Sequence, residues 1–254
     1  MPAWFAELLI VIIVALCAAG IHYAVRQRFP YERLRKHNDV AGFLFSVVGV
    51  IYAVVLGFVV VVAWEKYDAT VANANTEVAA VSDLYRSVAT FPAPLRHLVR
   101  RELHHYIDVI INDEWPAMEH GHQPMADLDI LENVAADIET YDPVTSNQHD
   151  AHAIALGQID RLFDARRLRI LEMLPSVPGL LWFALVAGAL ATLGFAYLFG
   201  VEDRGPQMIM TAILAGVITI LFIVIYEFDF PFGGSISVPS TGWTYLHSRL
   251  PHIH

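Results

Sequence analysis

At 254 residues, with 56% of them apolar, 17% charged and a mean hydropathy of +0.48, the chain is too oily for an ordinary soluble domain of its size. Its formal net charge of −10 lacks the basic balance that a duplex nucleic-acid binder carries, so no nucleic-acid partner is expected. Cys17 is the only cysteine, which excludes an internal disulfide and a cysteine-based metal cluster.

The first apolar run covers residues 7–25. No Lys or Arg precedes Arg26, so the basic start of a secretory signal is missing. Leu16 is also bulky where a lipoprotein cleavage site before Cys17 needs a small residue. The run reads as a retained membrane helix. A short basic loop, RQRFPYERLRKHND, leads to a second run over 40–64. Two more runs follow at 180–199 and 206–226, separated by the turn GVEDRGPQ. At 1.5 Å of rise per residue each run can cross a hydrocarbon layer about 30 Å thick.

Between the second and third runs lies a polar insert that reads as helix throughout. Tyr67, Val71, Ala74, Val78, Val81, Tyr85 and Val88 recur at threes and fours, with no Gly or Pro separating them from the preceding apolar run. The second membrane helix is therefore predicted to continue to about residue 90, where FPAP stops it. A helix over about 95–113 follows, with Leu95, Leu98, Leu103, Tyr106 and Ile110 inward. EWPAMEHGHQP reads as a turn, and residues from about 125 to 139 as a short helix. After the break YDPVTSN a long helix spans about 148–173, and LPSVPG reorients the chain. The expected fold is an all-α integral membrane protein with four transmembrane helices and a large helical extramembrane insert between the second and third. Its divisions are 1–64, 65–178, 179–227 and a tail at 228–254. Four crossings place both termini on the same side as the insert.

Residues 65–178 hold 19 Asp plus Glu against nine Lys plus Arg. Such an acidic field raises the local concentration of cations, although a solvated face without function has the same composition. The second run carries a stripe of small residues, Gly42, Ser46, Gly49, Ala53 and Gly57, at spacings of three and four. One reading is close helix packing in lipid. The other is a face turned to the axis of an oligomer, with Phe43, Val50 and Leu56 forming an apolar constriction. Glu65, Asp68, Asn73, Asn75, Thr76 and Glu77 place polar and acidic groups just beyond, with Glu65, Asp68 and Asn75 the candidate mouth. Four helices enclose too little room for an aqueous path, so a pore implies several copies. The membrane runs hold almost no ionisable residue and no broken helix, which disfavours an ion-coupled carrier.

The 12 histidines contain no HExxH, and the His120–His122 pair reads as solvent-facing. GxSxG, GxxxxGK[ST] and GxGxxG are all missing, so no nucleophile, phosphate cradle, cofactor or metal is expected. That leaves a channel or, alternatively, a non-conducting scaffold whose insert binds a partner.

Three stretches together resemble a known family. They are GVIYAVVLGFVVVVAWEKYDATVANANTEVAAVSDLYR from Gly49 to Arg86, NDEWPAM from Asn112 to Met118, and FDFPFGGSISVP from Phe228 to Pro239. The family is the DUF4239 or bestrophin-like group of bacterial integral membrane proteins, and the likeness covers nearly the whole chain. Gly57-Phe58, the helix exit at Trp64, Lys66 and Tyr67, and the Glu77-Val78 step are similar to the second helix of bestrophins. Those are pentameric ion channels with chloride-selective and cation-permeable members. The resemblance implies a homo-oligomer, with a pentamer suspected, in a bacterial inner membrane, surrounded by lipid and passing inorganic ions. The acidic mouth turns that expectation toward cations such as K+ or Na+. Arg26, Arg28, Arg33, Arg35 and Lys36 argue that the first loop is cytoplasmic; the resemblance instead places the insert there, and is followed.

Two features depart from the family. Asp229 is followed by Phe230 where the family tail usually has Arg, and the acidic calcium clasp of animal bestrophins has no counterpart here. Calcium gating of that kind is not expected. Phe228, Phe230, Phe232 and Trp243 suit an interfacial aromatic belt. Pro231 stops the fourth helix, and Gly233-Gly234 permits a sharp return. Asp229, Pro231, Phe232 and Gly233 are thus expected to form a brace, held mainly by hydrophobic contact.

Overall fold

The computed structural model describes residues 3–29, 31–124 and 128–250, and among these every regular element is helical. Four helices are long and apolar enough to cross a membrane, beginning at Trp4, Asn38, Gly179 and Arg204. The chain divides into two compact units, one made of residues up to Lys66 with Pro175–Asp229, the other of Tyr67–Leu174 with residues from Phe230 onward.

In the first unit α1 (Ala3–Arg28) packs along α9 (Arg204–Asp229). A short α2 (Tyr31–Arg35) precedes the 50-residue α3 (Asn38–Ser87), whose first part meets α8 (Gly179–Leu198) and α9. Tyr52, Leu56, Val59 and Ala63 form the inward face of α3, against Leu185, Ala189, Ile218 and Ile225. Gly188 makes this approach possible, because a Cβ there would stand 2.3 Å from the Tyr52 ring. Gly188→Val is therefore expected to cost about 1–3 kcal/mol by overpacking. Gly194→Val, where a Cβ meets nothing within 4 Å, is the control. Thermal unfolding of the two purified variants checks this.

The helix ends in this unit are tied by side chains. Asn38 Nδ2 donates to Gly200 O at 2.8 Å while Gly200 N donates to Asn38 Oδ1 at 2.9 Å. Arg26 Nη2 donates to Val201 O at 2.7 Å. His22, one turn earlier, is fully buried, with Nδ1 3.2 Å from Thr211 Oγ1. The sequence reading counted Arg26 only as a loop charge and passed over His22, which the surrounding apolar run conceals.

The second unit begins with the rest of α3, followed by a 3₁₀ turn (Val88–Thr90) and α4 (Ala93–Val109). The expected extension of α3 to about residue 90 matches. A π turn (Ile110–Glu114) then feeds α5 (Trp115–Glu119), which corrects the reading of EWPAM as a turn. Pro116 falls in the first helical turn of α5, where its missing N–H costs nothing. The true turn comes at His120–Gly121, with Gly121 at φ 75°. After α6 (Leu128–Glu139), α7 (Ser146–Leu171) starts at a reciprocal cap. Gln148 N donates to Thr145 Oγ1 at 3.3 Å, and Thr145 N donates to Gln148 Oε1 at 3.2 Å. The expected start of the short helix at Met125 lies outside the described residues.

Two of the four tail aromatics are not free to form a lipid belt. Phe232 and Trp243 are buried in the core of the second unit with Tyr106, Ile110, Trp115 and Leu131. Only Phe228 joins the core of the first unit. Gly234 at φ 78° turns the chain, Val238 N donates to Pro231 O at 2.8 Å, and α10 (Thr241–Arg249) follows, a helix that the sequence reading missed. Aromatic side chains are equally at home at an interface and in a core, so composition did not separate the two.

Candidate functional site

The outward face of α3 is built by helical spacing. Phe43, Val50, Gly57 and Trp64 are seven residues apart, as are Asp68 and Asn75, and two helical turns return nearly to the same face. Phe43 is 70% exposed and Val50 64%, so among the described residues no helix covers them. Ser46, Ala53 and Gly57 are exposed as well, and a Cβ built at Gly49 or Gly57 meets nothing within 4 Å. Ser46 Oγ donates back to Gly42 O at 2.8 Å, satisfying its hydroxyl within the helix. Of the three glycines Gly42 differs, with the Phe199 ring 3.6 Å from a built Cβ. The small-residue stripe is thus largely open rather than used to pack the chain's own helices.

Leu56 is the exception among the expected constriction residues. It is 4% exposed and lies in the core with Tyr52 and Val59, four residues before it and three after. That face of α3 is occupied by the chain itself, so Leu56 lines no outer path. Farther on, Glu65, Asp68 and Asn75 are all exposed, while Asn73 donates through Nδ2 to Glu172 Oε1.

Glu77 departs most from its expected place. Rather than standing with the solvent-facing acids, it is fully buried. Arg169 Nε donates to Glu77 Oε2 at 2.6 Å, and Arg169 Nη2 to Glu77 Oε1 at 3.2 Å and to Glu114 Oε2 at 2.6 Å. Arg166 Nη2 donates to Glu114 Oε1, and Tyr106 OH to Glu77 Oε1 at 2.6 Å. Met118 Sδ lies 3.0 Å from Arg169 Nη1, and the guanidinium sits 5.6 Å from the centroid of the Trp115 ring. Two carboxylates thus face two guanidiniums, drawn from α3, α7 and the π turn.

Burial alone would lower the pKa of Arg169, but Glu77, Tyr106 and Glu114 outweigh it and hold the guanidinium above its ordinary value. Burial raises the Tyr106 hydroxyl well above its usual value, and the adjacent Glu77 charge adds to the rise. Tyr106 therefore remains a donor across the physiological range. The sequence signal for this cluster was present: Glu77 interrupts an apolar face between Ala74 and Val81, and Arg166 and Arg169 are one turn apart.

In the first unit, Asp229 is fully buried where the chain leaves α9. Its Oδ1 accepts from Ser176 N at 2.6 Å, Ser176 Oγ at 2.9 Å and Val177 N at 3.0 Å, while its backbone carbonyl accepts from Lys66 Nζ at 3.3 Å. Asp229 thus ties together the three segments at which the chain leaves this unit, so polar bonds as well as hydrophobic contact hold this end of the tail. Pro231 and Gly233 shape the turn that follows, within the second unit.

His120 Nδ1 lies 2.7 Å from Pro116 O, and His152 Nε2 2.9 Å from Ile138 O. Among the described residues, no group of three or more His, Cys, Asp or Glu side chains is placed to hold a metal ion. The histidines at 252 and 254 lie outside the described residues.

Helical architecture with four membrane-length apolar helices defines an all-α membrane protein. A model of the Bestrophin-like domain matches residues 12–242, and the chain belongs to that family. Its fold is similar to a crystal structure of a membrane protein variant at 17% identity, with 93% of this chain and 96% of that one covered and a TM-score of 0.69. Two variants of a bacterial bestrophin homologue from Klebsiella pneumoniae are also similar. One has 17% identity and a TM-score of 0.66, the other 19% and 0.63, and each alignment covers 96% of both chains. At such identities the likeness is one of fold. A search among curated proteins found no match.

Proposed function

We propose that this protein is a homo-oligomeric ion channel, most simply a pentamer as in bestrophins, with an axial path lined by α3. The observation that carries the reading is the outward face of α3, exposed at Phe43, Ser46, Val50, Ala53 and Gly57 and on at Glu65 and Asp68. A long apolar face left bare on one copy calls for lipid or another copy. Exposed acids in register with it suit the end of a path better than a lipid surface. Phe43 and Val50 form the apolar constriction, while Ser46, Gly49, Ala53 and Gly57 keep the helices close without filling the axis. Gly42 stands at the end of this stripe, against Phe199. The path lies in a bacterial inner membrane, with the second unit and both termini cytoplasmic.

Symmetry repeats Glu65, Asp68 and Asn75 around the axis, so carboxylates gather at one level and favour cations over anions. Ionic screening over about 8 Å weakens this effect in a wide mouth but does not reverse it. Combined Glu65→Gln and Asp68→Asn substitutions are expected to move the reversal potential in asymmetric potassium chloride toward zero while leaving the assembled particle intact. Chloride selectivity in the unmodified protein would sink the cation preference. An unchanged reversal potential in the double variant would remove these two residues from the mouth.

A further inference from the structure

Near the start of α1, the first unit contains a groove that conduction does not use. Trp4, Glu7, Leu8 and Val11 line one wall, and Ile220, Ile223 and Val224 of α9 the other, around a volume of about 320 Å³. Both sets follow helical spacing of three and four, so each is a continuous strip on its helix. The volume is at the lower end for ligand sites, which run from roughly 300 to 1,000 Å³, and suits one slender apolar chain.

Glu7 is the single charged group in this groove and the only acid in α1. Among the described residues, no basic side chain pairs with it. Trp4, one turn earlier and exposed, belongs to the residue type that sits at headgroup depth. The α9 wall also lies within three turns of that helix's end at Asp229. The groove therefore has a carboxylate at its interfacial end and an apolar floor extending toward the bilayer centre.

We infer that this groove holds a phospholipid with a primary ammonium headgroup, its acyl chain along Leu8, Val11, Ile220 and Val224 and its ammonium on Glu7. An ammonium supplies both the missing positive charge and the N–H donors that a carboxylate accepts. A choline headgroup has the charge without the donors, and an anionic phosphoglycerol headgroup is repelled. The inference rests on the membrane placement of the first unit and not on conduction.

Native mass spectrometry of the purified full chain tests it, with equimolar phosphatidylethanolamine, phosphatidylcholine and phosphatidylglycerol of identical acyl chains as probes. The unmodified protein should retain the ethanolamine lipid several-fold over the other two. Glu7→Gln should equalise ethanolamine and choline lipids, and Val11→Trp should reduce retention of all three by filling the groove. Equal retention of the three lipids by the unmodified protein, or a preference for choline, would overturn the inference without any variant. So would an ethanolamine preference that survives Glu7→Gln. Absence of bound lipid, with Trp4→Cys cross-linking between copies, would assign the groove to a second copy instead. Ion flux measured in parallel separates this outcome from failure of the channel reading.

Discussion

Arg169→Met is expected to destabilise the second unit by about 3–5 kcal/mol, the range for removing one partner of a buried ion pair. Arg169 is fully buried and donates to both Glu77 and Glu114, so its loss leaves two carboxylates away from water with Arg166 and Tyr106 as their main remaining partners. Arg169→Lys should recover only part of the loss, because one ammonium does not reproduce the planar fork that spans two carboxylates. Unfolding of the purified protein followed by helical circular dichroism, with limited proteolysis of residues 67–174, reads the effect. Adding Glu77→Gln to Arg169→Met should cost less than the sum of the two single changes, since the residues share one network. Additive losses would show that the cluster does not act as a unit.

Trp115→Ala is expected to cost a similar amount, about 3–5 kcal/mol. The indole is buried, its Nε1 donates to Val238 O at 3.1 Å, and its ring meets Phe232 edge-on at 5.5 Å. The substitution therefore opens a cavity and strips the returning tail of a hydrogen bond and an aromatic contact together. Trp115→Phe keeps an aromatic ring but loses the donor, with an expected loss of about 1–3 kcal/mol from the unsatisfied carbonyl and smaller ring. Protease cutting within residues 230–250 should rise sharply in the alanine variant and modestly in the phenylalanine one. An uncut tail in Trp115→Ala would mean that α10 and its other contacts hold the tail alone.

The four membrane-length helices were legible because an apolar run of that length has few other uses, and the start of α7 was placed within two residues because the break YDPVTSN precedes it. The two faces of α3 were not. Leu56 and Val50 have the same chemistry, yet one packs within the chain and the other points outward. Where both environments are apolar, periodicity does not distinguish core from lipid or partner. Glu77 was misplaced for the opposite reason, because a carboxylate amid polar neighbours reads as solvated unless its buried guanidinium partner, 92 residues away, is known. Both α5 and α10 were lost, the one to Pro116 and the other to the Gly- and Pro-rich tail, where turn residues hid short helices secured by tertiary packing.

Potassium efflux from liposomes carrying the purified, assembled protein tests the central reading most directly. Potassium is expected to escape from such vesicles down its gradient, and Val50→Asp, which places a charge in the apolar constriction, to change the rate. Vesicles that stay sealed to both potassium and chloride, with the protein inserted and oligomeric, would contradict a channel lined by α3.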